Sequence, residues 1–362
     1  MEWPLMKFLF CAIAVIAAGS GIMFWIIKNG DPVSANGKDP SYEQDDDYNS
    51  GPEHPINPTA IQDSKFGIDR IKDGQDAKPV AFNGKRAMGY LETICALGPR
   101  VSGTKSMRQQ QDIIKKHFED LGVKVTYQAF EAKQNSVKGK VEMTNIIISF
   151  QPDKKRRGIL CSHYDTRPIA DQEDDPRDWR KPFLSANDGG SGVAFLMELG
   201  NHMKNLKTNV GVDFVIFDGE EYIFVPKGTN KDRYFIGSRH FAQTWRQSKG
   251  RCEYSAAILL DMIAGNEIHF PVEVHSHNMA PELCKEIWGI AQEQKAKAFE
   301  WRRGHEVLDD HTELHKVGIP AIDIIDFDYP HWHKLADRPE SCSGESMEQV
   351  ARVLSVWLQR TK

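Results

Sequence analysis

Residues 212–222 read Val212-Asp213-Phe214-Val215-Ile216-Phe217-Asp218-Gly219-Glu220-Glu221-Tyr222. The short apolar run, rich in β-branched and aromatic residues and stopped by Asp-Gly, reads as a buried strand. Two adjacent glutamates then close it. A carboxylate buried at a strand end is costly unless it is paired or bound to a cation. A neighbouring pair makes sense if the roles divide, one side chain neutralising a cation and the other serving beside it as general base and acid. A solvated surface turn is the competing reading, and the apolar run leading into the pair argues against it.

The same punctuation recurs outward in both directions. Gly158–Ser162 is a short buried-type strand followed by His163-Tyr164-Asp165. Residues two apart in an extended segment point the same way, so His163 can bind metal while Asp165 orients it. Asp188 lies in Asn187-Asp188-Gly189-Gly190-Ser191-Gly192, just ahead of a helical pattern. Its carboxylate can ligate one metal, bridge two, or cap the helix. Asp261 ends the apolar run Ala256–Leu260 and is a candidate metal ligand or a proton-sharing partner of Glu220. His331 and His333 compete for a ligand role on spacing, and Tyr329 and Trp332 beside them suit the lining of a small-substrate pocket. Asp309-Asp310-His311 precedes a short helix, where the carboxylates can hold a proton or cap that helix. Three protein ligands leave zinc an open position. Adding His163 and Asp261 supplies enough ligands for two metals, and spacing does not choose between one and two.

Around these residues the chain alternates helical and strand patterns. Lys85–Leu97, Ser106–Leu121, Gly192–Leu206, Gly237–Gln247, Pro281–Ala298 and Glu345–Leu358 have helical spacing. Val123–Ala129, Val141–Phe150, Val212–Phe217, Ala256–Met262 and Ala321–Phe327 join Gly158–Ser162 as strands. The alternation predicts an α/β domain, a central mostly parallel mixed sheet with helices on both faces. Ligands in such folds bind beyond the carboxyl ends of the strands, where the acidic residues and histidines stand.

This domain is expected to occupy residues 63–362. Ahead of it, residues 1–28 hold the uncharged apolar stretch Phe8–Ile27, of the length that spans a bilayer. A retained transmembrane helix is the expectation, with a cleaved signal peptide as the alternative. Lys7 on one side and the acidic run Asp45-Asp46-Asp47 beyond Lys28 on the other favour an extracytoplasmic domain. Residues 29–62, rich in Pro, Gly, Asn, Ser and Asp, read as a flexible tether. The 46 basic and 51 acidic residues give a net charge of −5, which gives no support for nucleic-acid binding. None of the six cysteines forms a Cys-x-x-Cys pair, which disfavours cysteine-held zinc.

In this order and spacing, LGPRVSGT, SHYDTRPIADQEDDP, KPFLSANDGGSGVAFLMELG, DFVIFDGEEY, YFIGSRHFA, ILLDMIAG and DDHTELHKVGIPAIDIIDFDYPHWH resemble the zinc aminopeptidase-like superfamily. Within it the chain is most similar to the glutaminyl cyclases of bacterial type, from about residue 85 onward. That resemblance implies one catalytic zinc on Asp188, Glu221 and His333. It implies Glu220 as proton shuttle with Asp261 and Asp309 around it, and Trp332 against the substrate. The implied reaction closes the N-terminal glutamine of peptides to pyroglutamate and releases ammonia. The chain departs from the family at Lys334, where threonine is usual, and at Arg338, where a small polar residue is common. It also lacks a tryptophan after the paired glutamates and carries Asp323 where vertebrate enzymes have histidine. A two-zinc aminopeptidase using His163, Asp188, Glu221, Asp261 and His333 is the alternative. A binding domain that lost its chemistry is disfavoured, because no ligand position is lost.

Overall fold

The computed structural model describes residues 77–225, 232–248 and 251–362. The apolar segment 1–28, the tether 29–62 and the expected start of the domain at residue 63 lie outside the described residues. Among the described residues no helix is long and apolar enough to cross a membrane.

Two helices come first. α1 (Gly84–Cys95) starts where the Asn83 side chain accepts the Arg86 N–H, and α2 (Lys105–Asp120) starts where Thr104 accepts that of Met107. The chain then alternates: β1 (Val125–Ala132), β2 (Val141–Phe150), β3 (Arg156–His163), α3 (Ser191–Met203), β4 (Gly211–Phe217), α4 (Ile236–Gln247) and β5 (Glu253–Asp261). The last part holds β6 (Phe270–Val272), α5 (Val274–Met279), α6 (Pro281–Glu293), β7 (Phe299–Arg303), α7 (Asp310–His315), β8 (Ala321–Ile325) and α8 (Gly344–Arg360).

Six strands form one mixed sheet in the order β1-β2-β4-β3-β5-β8. β2 pairs antiparallel with both β1 and β4, while β4, β3, β5 and β8 run parallel. The period of two sends alternate residues of each strand to opposite faces. Leu160, Phe214, Ile216, Ile258, Leu260, Ile322 and Ile324 meet the apolar sides of α1, α2, α3, α6 and α8 on one face. Ile159, Cys161, Val215, Phe217, Ala257 and Leu259 meet Phe241 and Ala242 of α4 and Leu314 of α7 on the other. Each fully buried Leu, Ile or Phe contributes about 1.5–3 kcal/mol, so both faces hold the parallel strands rigidly in place. Their carboxyl ends lie along one edge, where His163 stands opposite Phe217 and Asp261 opposite Ile325.

The expected helix Pro281–Ala298 ends at Glu293, and the chain turns through Lys295, at φ 55°, into β7. β6 and β7 form a separate two-stranded parallel sheet that periodicity did not indicate. Three and five residues are too few to establish a period of two.

Candidate functional site

The paired glutamates sit in the turn that leaves β4. Gly219 there has φ 68°, a conformation that favours glycine. Asp165, from the segment after β3, takes the Glu220 N–H on Oδ1 at 3.0 Å and the Glu221 N–H on Oδ2 at 3.2 Å. One carboxylate thus fixes the backbone of both. The two side chains then part. Glu221 Oε2 lies 2.9 Å from His333 Nε2, and Glu220 Oε2 approaches His163 Nδ1 at 4.0 Å. The expected orienting contact from Asp165 to His163 Nδ1 is 3.6 Å, too long for a hydrogen bond.

Asp188 stands between the two imidazoles, 3.2 Å from His163 Nε2 and 3.4 Å from His333 Nε2. It does not cap α3, whose N-cap is Gly190 without a side-chain bond. Gly189 follows at φ 84°, and a Cβ there would sit 2.7 Å from His163 Cε1. Glycine is therefore required both by the backbone angle and by the nearness of the imidazole. Asp261 Oδ1 lies 3.3 Å from His163 Nε2. His333, and not His331, is the histidine brought against the carboxylates.

Asp309 caps α7 by accepting the Asp310 N–H, and it is buried. Burial pushes its carboxyl well above the usual range, and the Asp261 and Asp310 carboxylates add to this. Burial likewise raises Glu220, with His163 opposing and Asp309 and Glu221 reinforcing. Trp332 stacks on His333 with ring centroids 4.2 Å apart and leans on Phe327. Tyr329 corrects an expectation. It is buried, and its hydroxyl donates to Asp337 Oδ1 at 2.9 Å, so it braces the wall rather than lining an open pocket.

Two further carboxylates hold the site, and neither was singled out from the sequence. Asp171 Oδ1 lies 3.1 Å from His333 Nδ1, while Arg167 donates to both Asp171 oxygens. Burial would raise Asp171, but His333 and Arg167 hold it well below the usual carboxylate range. Burial and Arg167 push the His333 imidazole down, yet Glu221 and Asp171 outweigh them and bring it up to about 9. Asp337 accepts the N–H groups of Asn187 and Asp188, fixing the turn that carries Asp188. Both lie in polar loop segments that look like surface, and the one sequence hint for Asp171 was Arg167 four residues earlier.

Among the described residues, His163 Nε2 and Asp188 Oδ2 are buried without a hydrogen-bond partner. Single ligand atoms of His163, Asp188 and Glu221 all lie within 4.8 Å of one another. Imidazoles drawn toward protonation by crowded carboxylates mark a field that a cation satisfies, and imidazole plus carboxylate donors in this number fit zinc.

The profile of peptidase family M28 matches residues 145–358. The fold superposes on a crystal structure of Fimbriiglobus ruber glutaminyl cyclase with a TM-score of 0.77 and 48% identity, covering 79% of this chain and 98% of that one. It also superposes on a leucine aminopeptidase precursor from Bacteroides thetaiotaomicron, with a TM-score of 0.75 and 28% identity over 79% of this chain and 100% of the other. A Drosophila melanogaster glutaminyl-peptide cyclotransferase is 24% identical over 282 residues, 72% of this chain and 76% of its own length.

Proposed function

Because the chain belongs to peptidase family M28, in its group of glutaminyl cyclases, we propose that it is a zinc-dependent glutaminyl-peptide cyclotransferase that closes N-terminal glutamine to pyroglutamate. What carries this reading is the parting of the two adjacent glutamates, with Glu221 turned to His333 and Glu220 left free of the imidazole–carboxylate cluster's closest contacts.

Asp188, Glu221 and His333 would hold one zinc, with Asp171 orienting His333 from behind. Bound there, zinc supplies Lewis-acid polarisation of the side-chain amide carbonyl. Glu220 accepts a proton from the substrate α-amine as that nitrogen bonds to the amide carbon. It then gives the proton to the departing amide nitrogen, the carbon–nitrogen bond breaks, and ammonia leaves. Asp309 raises the proton affinity of Glu220 with its buried carboxyl group, and Asp261 and Asp309 would share its proton. The nucleophile belongs to the substrate itself, so holding the glutamine in place supplies much of the rate. Trp332, stacked on His333 at the rim, packs on the substrate.

A second reading has one observation behind it. His163 Nε2 sits between Asp188 and Asp261 at 3.2 and 3.3 Å, which leaves donors for a second cation and a metal-activated water, as in a two-zinc aminopeptidase.

Incubating the full chain with zinc and a Gln-initiated peptide separates the two. Loss of one ammonia with the residue count unchanged is the expected result, at one zinc per chain. Release of a free N-terminal amino acid at two zincs per chain would favour the peptidase. The apolar run at 8–27 supports attachment to a membrane. Sedimentation of the chain with membranes, lost when that run is deleted, is the matching expectation.

A further inference from the structure

Apart from the residues described above, one buried carboxylate gathers four donors and an imidazole. Glu273 is 1% exposed. Its Oε1 accepts the N–H groups of His275 at 2.7 Å and Val307 at 3.0 Å. Its Oε2 accepts the Ser276 N–H at 2.6 Å and the Ser276 hydroxyl at 2.7 Å, and lies 3.2 Å from His311 Nε2. The Ser276 oxygen in turn accepts the Asp323 N–H of β8 at 2.9 Å.

These contacts join three parts of the chain that are far apart in sequence: the start of α5, the segment 307–311, and β8. The middle one carries Asp309. The chain is also tied just ahead of that segment, where the Gly304 N–H donates to the Val272 carbonyl at 2.7 Å and the His305 carbonyl accepts the Val274 N–H at 3.0 Å. Residues 304–309 form no helix or strand, and α7 is a helix of only six residues, well short of the length at which a helix persists unaided. Its entry, Val307, and its first turn, His311, both end on Glu273, with Asp309 midway between them. His311 is fully buried, and its Nδ1 lies 3.9 Å from Asp323 Oδ2. The imidazole therefore spans the two carboxylates, and a change at Glu273 reaches it directly.

We propose that Glu273 is a positioning residue that sets the place of Asp309 by clamping Val307 and His311 on either side of it. The proposal rests on the reading of Asp309 as a partner of Glu220 in proton transfer. Substitution of Glu273 would act through geometry, because Glu273 touches none of the reacting groups.

Hydrogen exchange and ammonia release, measured on the full chain as wild type, Glu273→Gln, His311→Leu, His311→Gln and the double variant Glu273→Gln/His311→Leu, test this. In Glu273→Gln, amides of 304–311 should exchange at least about tenfold faster, while those of 186–192 and 216–223 stay as in the wild type. Turnover should fall about 10- to 100-fold, the range typical of groups that orient a site from outside it, with KM within about twofold. His311→Leu should reproduce both effects, and the double variant should be no worse than either single one, since both remove the same clamp. His311→Gln, whose amide can still donate to Glu273, should recover most of the loss. If Glu273→Gln fails to fold, His311→Leu and His311→Gln carry the comparison alone. Unchanged exchange at 304–311 would overturn the proposal. So would faster exchange spread evenly through the sheet strands, which would mark a general part in stability. A wild type that releases no ammonia would remove the reading of Asp309, while the exchange pattern would still decide whether Glu273 is the clamp.

Discussion

Asp171 Oδ1 lies 3.1 Å from His333 Nδ1, on the opposite side of the ring from the Nε2 that faces Glu221. An imidazole that offers Nε2 to a metal needs its Nδ1–H held, and a carboxylate there fixes both tautomer and ring angle. Arg167 secures Asp171 from behind by two hydrogen bonds. The Asp171→Asn variant should bind zinc about 10- to 100-fold more weakly with its far-ultraviolet dichroism unchanged. Competition with a chelator measures this, and wild-type affinity in the variant would remove Asp171 from the site's support.

Glu220 and Glu221 are neighbours in sequence whose side chains face different imidazoles, so their conservative variants should fail differently. Glu220→Gln should keep one zinc per chain and lose turnover by roughly 10²–10⁴-fold, the usual contribution of a general base. Glu221→Gln should lose zinc first, with activity following the metal. Metal analysis on the same samples used for ammonia release distinguishes the two. Equal loss of zinc in both variants would mean that the glutamates do not divide the work as proposed.

The strand ends were legible because two physical signals coincide there. Residues 214–217 and 256–260 alternate between two apolar clusters, so their sequences are apolar throughout, and a charge directly after them stands out. That contrast singled out His163, Glu221 and Asp261, whereas Asp188 drew attention as the carboxylate of a glycine-rich turn ahead of a helix and His333 as one of two histidines beside aromatic residues. Asp171 and Asp337 did not stand out, because each sits in an already polar stretch whose composition matches exposed loop, and Glu273 did not because the apolar run before it, Phe270–Val272, is too short to read as a strand. What separates Asp171 from its neighbours Asp174 and Asp175 is its contact with Arg167 and His333, a tertiary fact that no period reports. His331 and His333 illustrate the same limit. Spacing could not rank them, whereas a positive φ of 52° at His333 turns that ring to the carboxylates.

Gly189 holds the turn that carries Asp188 at φ 84°, with His163 Cε1 2.7 Å from where a Cβ would stand. Alanine there is strained by about 1–2 kcal/mol for the left-handed backbone alone, and its methyl group must displace either the imidazole or the turn. Gly189→Ala should therefore lower the urea midpoint of unfolding and weaken zinc binding together. Gly122→Ala, with φ 75° but no atom within 4 Å of its Cβ position, should show the backbone strain alone and bind zinc as the wild type does. Equal zinc affinity in the two variants would mean that the close approach to His163 has no consequence for the site.

Glu273 also gives the fold an acid limit of known direction. Burial would raise its carboxyl, but His311 and the Ser276 donors outweigh that and bring it from an ordinary 4.5 down to about 2. Between those values the unfolded chain binds the proton and the folded chain does not, so lowering the pH favours unfolding. The contribution of Glu273 to stability is then complete above about pH 4.5 and disappears as pH falls toward 2. A shift of this size corresponds to at most about 3.5 kcal/mol. Zinc leaves its ligands in acid, so wild type and Glu273→Gln should both be unfolded without metal, in chelator. The difference in unfolding free energy between them should be flat above pH 5 and shrink steadily below it. A difference that stays constant across that range would show that the carboxyl titrates alike in the folded and unfolded chains, and the donors gathered around it would then need another explanation.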